Sequence, residues 1–206
     1  MKKKIIITGG LGYIGTELCK LYSGISWHHE VTVLDNRFIS ERVNQLRNWN
    51  IDFIHGDILD KDLVKKHFHN ADVVHHLAGI TNVPRTEREA SAELDSKIKL
   101  VGISGTQNIL DSINKNCKII FPSTHIVFEG IDRIKKDIEE SEITKPLLSY
   151  SSSKAKNEKQ IKESGKNFVI LRLGSVYGYS NDATRINIMP NLFSKIASQN
   201  GTLKLF

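Results

Sequence analysis

Thr8-Gly9-Gly10-Leu11-Gly12-Tyr13-Ile14-Gly15 is the stretch that decides how the sequence folds. It follows a short apolar run, Lys4 to Thr8, and leads into Tyr13 to Tyr22, where apolar residues recur at helical spacing. A run that ends in glycines and passes directly into a helix predicts a tight strand-to-helix turn. Gly9 permits the turn, Gly12 lets the backbone approach a bound group, and Gly15 lets helix and strand pack closely. The N-terminus of such a helix offers free N–H groups and the positive end of its dipole, which suits phosphate.

The same alternation continues outward. Val31 to Leu34, Asp52 to His55, Asp72 to His76, Lys118 to Phe121 and Phe168 to Leu171 read as further strands. Asp60 to Phe68, Glu87 to Asn114 and Tyr150 to Ser164 read as helices, the second with Gly102 and Gly105 as weak points. Unbroken apolar runs predict strands buried on both faces. Their alternation with helices predicts an α/β fold, a doubly wound parallel sheet of the dinucleotide-binding (Rossmann) type. Glu129 to Pro146 is charged and aperiodic and reads as an exposed loop, and Ile188 to Ser198 as one more helix. Residues 1–178 are expected to form the cofactor domain with the catalytic groups. Residues 179–206 are expected to begin an incomplete substrate-binding lobe.

Asp35 closes the second strand twenty positions after Gly15. A carboxylate there accepts from adenosine ribose hydroxyls and repels a 2′-phosphate, which favours NAD over NADP. Arg37 stands against this, because an arginine nearby can pair with that phosphate. Asp57-Ile58 and His76-Leu77-Ala78-Gly79 follow the third and fourth strands, at the sheet edge where open α/β sheets bind ligands. Asp57 can accept from the adenine amino group, and Ala78 and Gly79 are small enough for the cofactor to lie on the backbone. The expected cofactor contacts are Gly9, Gly12, Tyr13, Ile14, Gly15, Asp35, Asn36, Arg37, Asp57, Ile58, Leu77, Ala78, Gly79, Ser123, Tyr150 and Lys154.

Tyr150 and Lys154 share a helix face at i and i+4. A cation held there favours phenolate and makes the tyrosine a usable base near neutral pH. Lys154 can also hydrogen-bond the nicotinamide ribose. Ser123-Thr124 ends the fifth strand, where a hydroxyl can orient the reacting oxygen toward Tyr150. Thr124, Tyr150 and Lys154 are therefore the expected catalytic residues.

These pieces, with Gly105-Thr106-Gln107-Asn108, Leu171-Arg172 and Val176-Tyr177-Gly178, resemble in order the extended short-chain dehydrogenase/reductases, the NAD-dependent epimerase/dehydratase family. The resemblance covers Thr8 to Gly178. It implies Tyr150 as acid/base, Lys154 as its helper and ribose contact, Thr124 as hydroxyl partner, a nucleotide-sugar substrate, and a homodimer built on the helices near 90–114 and 150–164. Thr81, Thr124 and Ser175 are the expected substrate contacts. Gly102 and Ser175 stand where the family usually has Asn, and Phe128-Glu129 where it has Tyr-Gly. His125-Ile126 stands where the 4,6-dehydratases carry Asp-Glu, so elimination is disfavoured. The expected activity is a 4-epimerase working through a transient 4-keto sugar. A reductase or dehydrogenase of the same family is the alternative, as is a non-catalytic NAD-binding regulator. The family's C-terminal lobe has no full counterpart here. The chain is either part of a longer protein or a cofactor module.

The bulk numbers fit this reading. The 206 residues are 39% hydrophobic and 25% charged, an ordinary globular composition. The net charge of +6 is spread along the chain, and the one tight run, Lys2-Lys3-Lys4, reads as a solvated end. No nucleic-acid partner is expected, and Trp27 and Trp49 read as core residues. The Lys2–Ile7 segment is too short for a secretory signal, and no apolar run reaches the ~18 residues of a membrane span. Cys19 and Cys117 suggest no disulfide framework, and the eight histidines no tetrahedral metal set. A cytoplasmic location is expected.

Overall fold

The computed structural model describes residues 2–25, 28–81, 91–180, 186 and 188–204. Trp27 and the first residues of the expected Glu87–Asn114 helix lie outside them. Six parallel strands form one sheet in the order β3-β2-β1-β4-β5-β6, with β1 Lys3–Thr8, β2 His29–Asp35, β3 Asp52–His55, β4 Val73–His76, β5 Lys118–Thr124 and β6 Asn167–Leu173. The chain runs outward from β1 to β3, returns to β4 beside β1, and runs outward again. The reversal opens a crevice between β1 and β4 at their carboxyl ends, the ligand position of doubly wound sheets. This is the fold expected from the sequence.

Strand alternation assigns the two cores. Ile5, Ile7, Val31 and Val33 pack with Cys19 of α1 (Tyr13–Ser23) and with Val43 and Leu46 of α2 (Ser40–Asn48). Ile6, Leu34, Val74 and Ile119 point the other way, onto Val64 and Phe68 of α3 (Lys61–Phe68), Ile109 and Leu110 of α5 (Gly105–Ser112), and Ile161 of α6 (Ser149–Glu163). Fully burying each large apolar side chain contributes about 1.5–3 kcal/mol. Adjacent His75 and His76 obey the same alternation. His75 Nε2 meets the Tyr22 hydroxyl at 2.7 Å on one face, and His76 lies against Phe121 on the other.

Four elements differ from expectation. α2 was not foreseen in the sequence. Only Val43 and Leu46 of its nine residues are buried, too few for a clear apolar stripe. The long helix is not continuous. α4 (Ala92–Lys99) passes into a π-helical turn, Leu100–Ser104, and then into α5, which stops at Ser112. Both glycines named as weak points belong here, Gly102 within the wide turn and Gly105 at its exit. β5 and β6 run further than their apolar cores, carrying Ser123 and Thr124 into the sheet edge. The last helix, α7, is Met189–Ser198.

Candidate active site

The nominated residues converge on one cleft of about 1210 Å³ at the carboxyl edge of the sheet. That exceeds the space a single drug-sized ligand fills. The glycine turn forms one end. Gly9 has φ +68, and a Cβ on it would sit 2.8 Å from the Ala78 nitrogen; a Cβ on Gly15 would sit 2.5 Å from the Gly9 carbonyl oxygen. Side chains are thus excluded where β1, α1 and the loop after β4 meet. Among the described residues no side chain caps the N-terminus of α1, which leaves its first turn suited to an anion. Tyr13 also ties this turn to the segment beyond β6: its hydroxyl donates to the Gly178 carbonyl at 2.5 Å, and Asn191 of α7 donates to it at 3.3 Å.

Asp35 is buried, and both its oxygens are held. Oδ2 accepts from the Leu11 N–H at 3.0 Å, while Oδ1 accepts from the Arg37 N–H at 3.0 Å and from its Nε at 3.2 Å. Arg37 is therefore folded back as the partner of Asp35, which reduces its availability to a 2′-phosphate. Asp57 is ordered in turn by the Leu59 N–H at 2.9 Å and the Asn36 amide at 2.9 Å. Ile58 is 3% exposed and wedges against Gly105, so its side chain serves mainly the core.

A buried chain of polar groups shapes the floor. Thr8 Oγ1 accepts from the Ala78 N–H at 3.0 Å and meets His76 Nδ1 at 3.0 Å; His76 Nε2 meets Thr106 Oγ1 at 2.9 Å. Burial, with the nearby Lys154 charge, drives the His76 pKa down to about 3. The ring stays neutral, with one nitrogen donating and the other accepting. It pins the loop carrying Leu77, Ala78 and Gly79 to the end of β1.

Thr124, Tyr150 and Lys154 occupy the opposite part of the cleft. Thr124 Oγ1 accepts from the Ile126 N–H at 3.2 Å, capping a 3-10 turn, His125–Phe128. That bond uses a lone pair, leaving the hydroxyl proton to donate. Lys154 is half-buried. Its Nζ donates to the Pro122 carbonyl at 2.8 Å and lies 4.3 Å from the Phe121 ring centroid and 5.9 Å from that of Tyr150. Burial pushes its pKa down to about 8, opposed by the Glu158 carboxylate. His125 is exposed, and its Nδ1–H donates to the Leu173 carbonyl at 3.1 Å. Thr81 and Ser175 lie exposed along the same cleft.

Sequence reasoning missed the support behind these groups. Ser123, expected to touch cofactor, lines the cleft and donates its hydroxyl to Glu158 at 2.6 Å. Glu158 is buried and also receives Arg172, Nε at 3.0 Å and Nη2 at 2.7 Å. Burial raises the Glu158 pKa, but hydrogen bonds from Arg172 and Ser123 outweigh it and hold the carboxyl below its ordinary value. The i+4 spacing from Lys154 to Glu158 was the available signal. Asn157 and Gln160, on the same helix, donate to the Gly102 and Ile103 carbonyls at 2.9 and 3.1 Å, fastening α6 to the π-turn.

A glycine turn on a bare helix terminus, a buried carboxylate closing the second strand, and a Tyr-x-x-x-Lys helix facing a strand-end hydroxyl together define a dinucleotide-dependent α/β enzyme fold. The chain belongs to the NAD dependent epimerase/dehydratase family, whose profile matches residues 5–206. It is 28% identical over 197 residues to a dTDP-D-glucose 4,6-dehydratase of Dictyostelium discoideum, covering 85% of this chain and 44% of that protein. It is 29% identical over 211 residues to the CDP-paratose 2-epimerase of Salmonella typhi, covering 88% and 60%. Among solved structures it is similar to a UDP-glucuronic acid 4-epimerase mutant of Bacillus cereus, in complex with NAD and UDP-4-deoxy-4-fluoro-glucuronic acid. That match has TM-score 0.79 and 25% identity and covers 98% of this chain and 65% of the other. The chain thus spans about half to two thirds of the length of these relatives. NAD is the cofactor of the family, and the open helix terminus and side-chain-free glycine turn fit it.

Proposed function

We propose that this chain forms the cofactor-binding part of an NAD-dependent nucleotide-sugar epimerase that oxidises its sugar transiently to a 4-keto form. The observation that carries the reading is the convergence of Thr124, Tyr150 and Lys154 on the cleft that begins at the glycine turn. Bound there, NAD supplies the hydride acceptor and then the donor. Gly9 to Gly15 and Asp35 would hold its pyrophosphate and adenosine ribose. Lys154 would hold the nicotinamide ribose.

The chain's own residues do the proton chemistry. Lys154 keeps its ammonium below pH about 8 and favours the Tyr150 phenolate. Tyr150 takes the proton of the sugar hydroxyl as the carbonyl forms, and returns it when the hydroxyl is restored. Thr124 donates to the reacting oxygen and keeps it in reach of Tyr150. The residues directly after Thr124 are His125 and Ile126, so no carboxylate stands there to drive elimination. This favours epimerisation over dehydration, although a dehydratase is among the relatives. Thr81, Thr124 and Ser175 would face the sugar. Residues from 179 onward would begin the substrate-binding part, and a homodimer through α4 and α6 is part of the proposal.

The test is Tyr150→Phe in the natural full-length protein, assayed with UDP-glucuronic acid and related sugar nucleotides. Turnover is expected to fall about 10²–10⁴-fold with NAD affinity kept. Full activity in the variant would remove Tyr150 from the mechanism. NADH accumulating with substrate would point to a dehydrogenase instead.

A further inference from the structure

We propose that Glu129 is a positioning residue for Tyr150, capping the helix that carries the phenol and tying it to the turn that follows Thr124. The inference rests on the catalytic roles proposed above for Thr124 and Tyr150.

α6 begins at Ser149 with Leu148 as its N-cap, and Leu148 has no side-chain acceptor. Four N–H groups at a helix start need partners, and an uncapped first turn frays. Glu129 supplies an acceptor for one of them, the N-cap N–H, from across the loop. Its Oε1 accepts from the Leu147 N–H at 2.7 Å, from the Leu148 N–H at 2.7 Å, and from the Ser151 hydroxyl. Three donors on one oxygen fix both the entry of the chain into α6 and the first helical turn. Tyr150 is the second residue of that turn.

Glu129 itself ends the 3-10 turn whose N-cap is Thr124. The base of the intervening loop is closed by backbone bonds: Gly130 N–H to the Lys145 carbonyl and Lys145 N–H to the Val127 carbonyl, each 2.8 Å. A Cβ on Gly130 would lie 2.6 Å from the Lys145 oxygen, so the seam has no slack. The long charged loop therefore leaves and returns through a fixed base, and the hydroxyl-bearing turn and the phenol-bearing turn move as one piece. The Glu129 carboxylate lines the cleft, yet its Oε1 is spent on the cap. Position, rather than proton transfer, is what it controls.

The experiment compares the natural full-length protein with Glu129→Ala and Glu129→Gln. Turnover is measured with UDP-glucuronic acid, and the ring NMR signals of Tyr150 are recorded in the NAD-bound protein, identified by their loss in Tyr150→Phe. Glu129→Ala is expected to lower kcat by up to about 10²-fold with KM little changed, as a small misplacement of a reacting group does. It should also shift the Tyr150 ring signals. Glu129→Gln keeps the accepting oxygen and is expected to preserve both. Unchanged kcat and unchanged ring signals in Glu129→Ala would overturn the proposal. So would a loss in Glu129→Gln as large as in Glu129→Ala, which would assign the residue a proton or charge role. If the unaltered protein does not turn over UDP-glucuronic acid, that substrate choice fails, and the ring signals alone decide the role of Glu129. If Glu129→Ala does not fold, Ser151→Ala removes one of the three donors. It should move the same ring signals, and their constancy would count against the proposal.

Discussion

Lys154 carries its charge with little to spare. Burial brings its pKa down to about 8, and the carboxylate one helical turn away works in the other direction. The ammonium is present below that pH and lost as pH rises through it, so the alkaline limb of turnover is expected near pH 8. Glu158→Gln removes the opposing charge and should move that limb to lower pH. A pH–rate profile of the full-length protein reads this directly; an unmoved limb would contradict the electrostatic link. The variant also removes the charge partner of Arg172, which keeps its bond to the Glu140 carbonyl, so some stability is lost. The profile should therefore be taken at a temperature where the variant is shown to be folded. Asp35, Tyr150 and Lys154 were legible in the sequence because motif spacing places them. Glu158, Arg172 and Glu129 were not, since their partners come from 14 to 35 positions away. Only the i+4 spacing of Lys154 and Glu158 marks one of these residues locally, and it says nothing of the bonds from Ser123 and Arg172.

At the scale of the element, the junction between the π-turn and α5 is tightly built. A Cβ on Gly105 would lie 2.3 Å from Ile58 Cδ1 and 2.7 Å from its Cγ1. Ile58 is enclosed by the core and cannot swing clear. Gly105→Ala is expected to cost about 1–3 kcal/mol of stability by overpacking. In an Ile58→Ala background the obstructing atoms are gone, and the same substitution should cost little, a coupling that a double-mutant cycle in urea would measure. Additive costs would contradict the packing described. Strands were legible because two-sided burial makes them continuous apolar runs. α2 was not, because most of its surface faces solvent. The interruption of the long helix was visible as a pair of glycines, but its π geometry depends on α6. Asn157 and Gln160 accept the task of satisfying the displaced carbonyls.

For the whole molecule, two histidines set the acid limit. His75 and His76 are buried, and burial pushes their pKa values down to about 4 and about 3. The unfolded chain binds protons on both near pH 6.5, so it takes up more protons than the folded chain below that pH. Stability is complete above pH 6.5 and falls as pH drops toward 4. The loss is about 2 kcal/mol per residue by pH 5. Urea midpoints measured from pH 7 to pH 5 should decline steeply in the unaltered protein and less in His75→Gln; equal slopes would contradict this assignment. The cofactor half of the cleft and the catalytic half meet only because the strand order reverses between β1 and β4. That reversal brings residues 8–15 opposite residues 123–154, and everything proposed about the reaction depends on it. A crystal structure of the full-length protein with NAD tests it most directly. The pyrophosphate is expected on the N–H groups at the start of α1, the adenosine ribose on Asp35, and the nicotinamide ribose on Lys154 with the Tyr150 hydroxyl alongside. A nicotinamide turned away from Tyr150, or a pyrophosphate seated off the glycine turn, would contradict it.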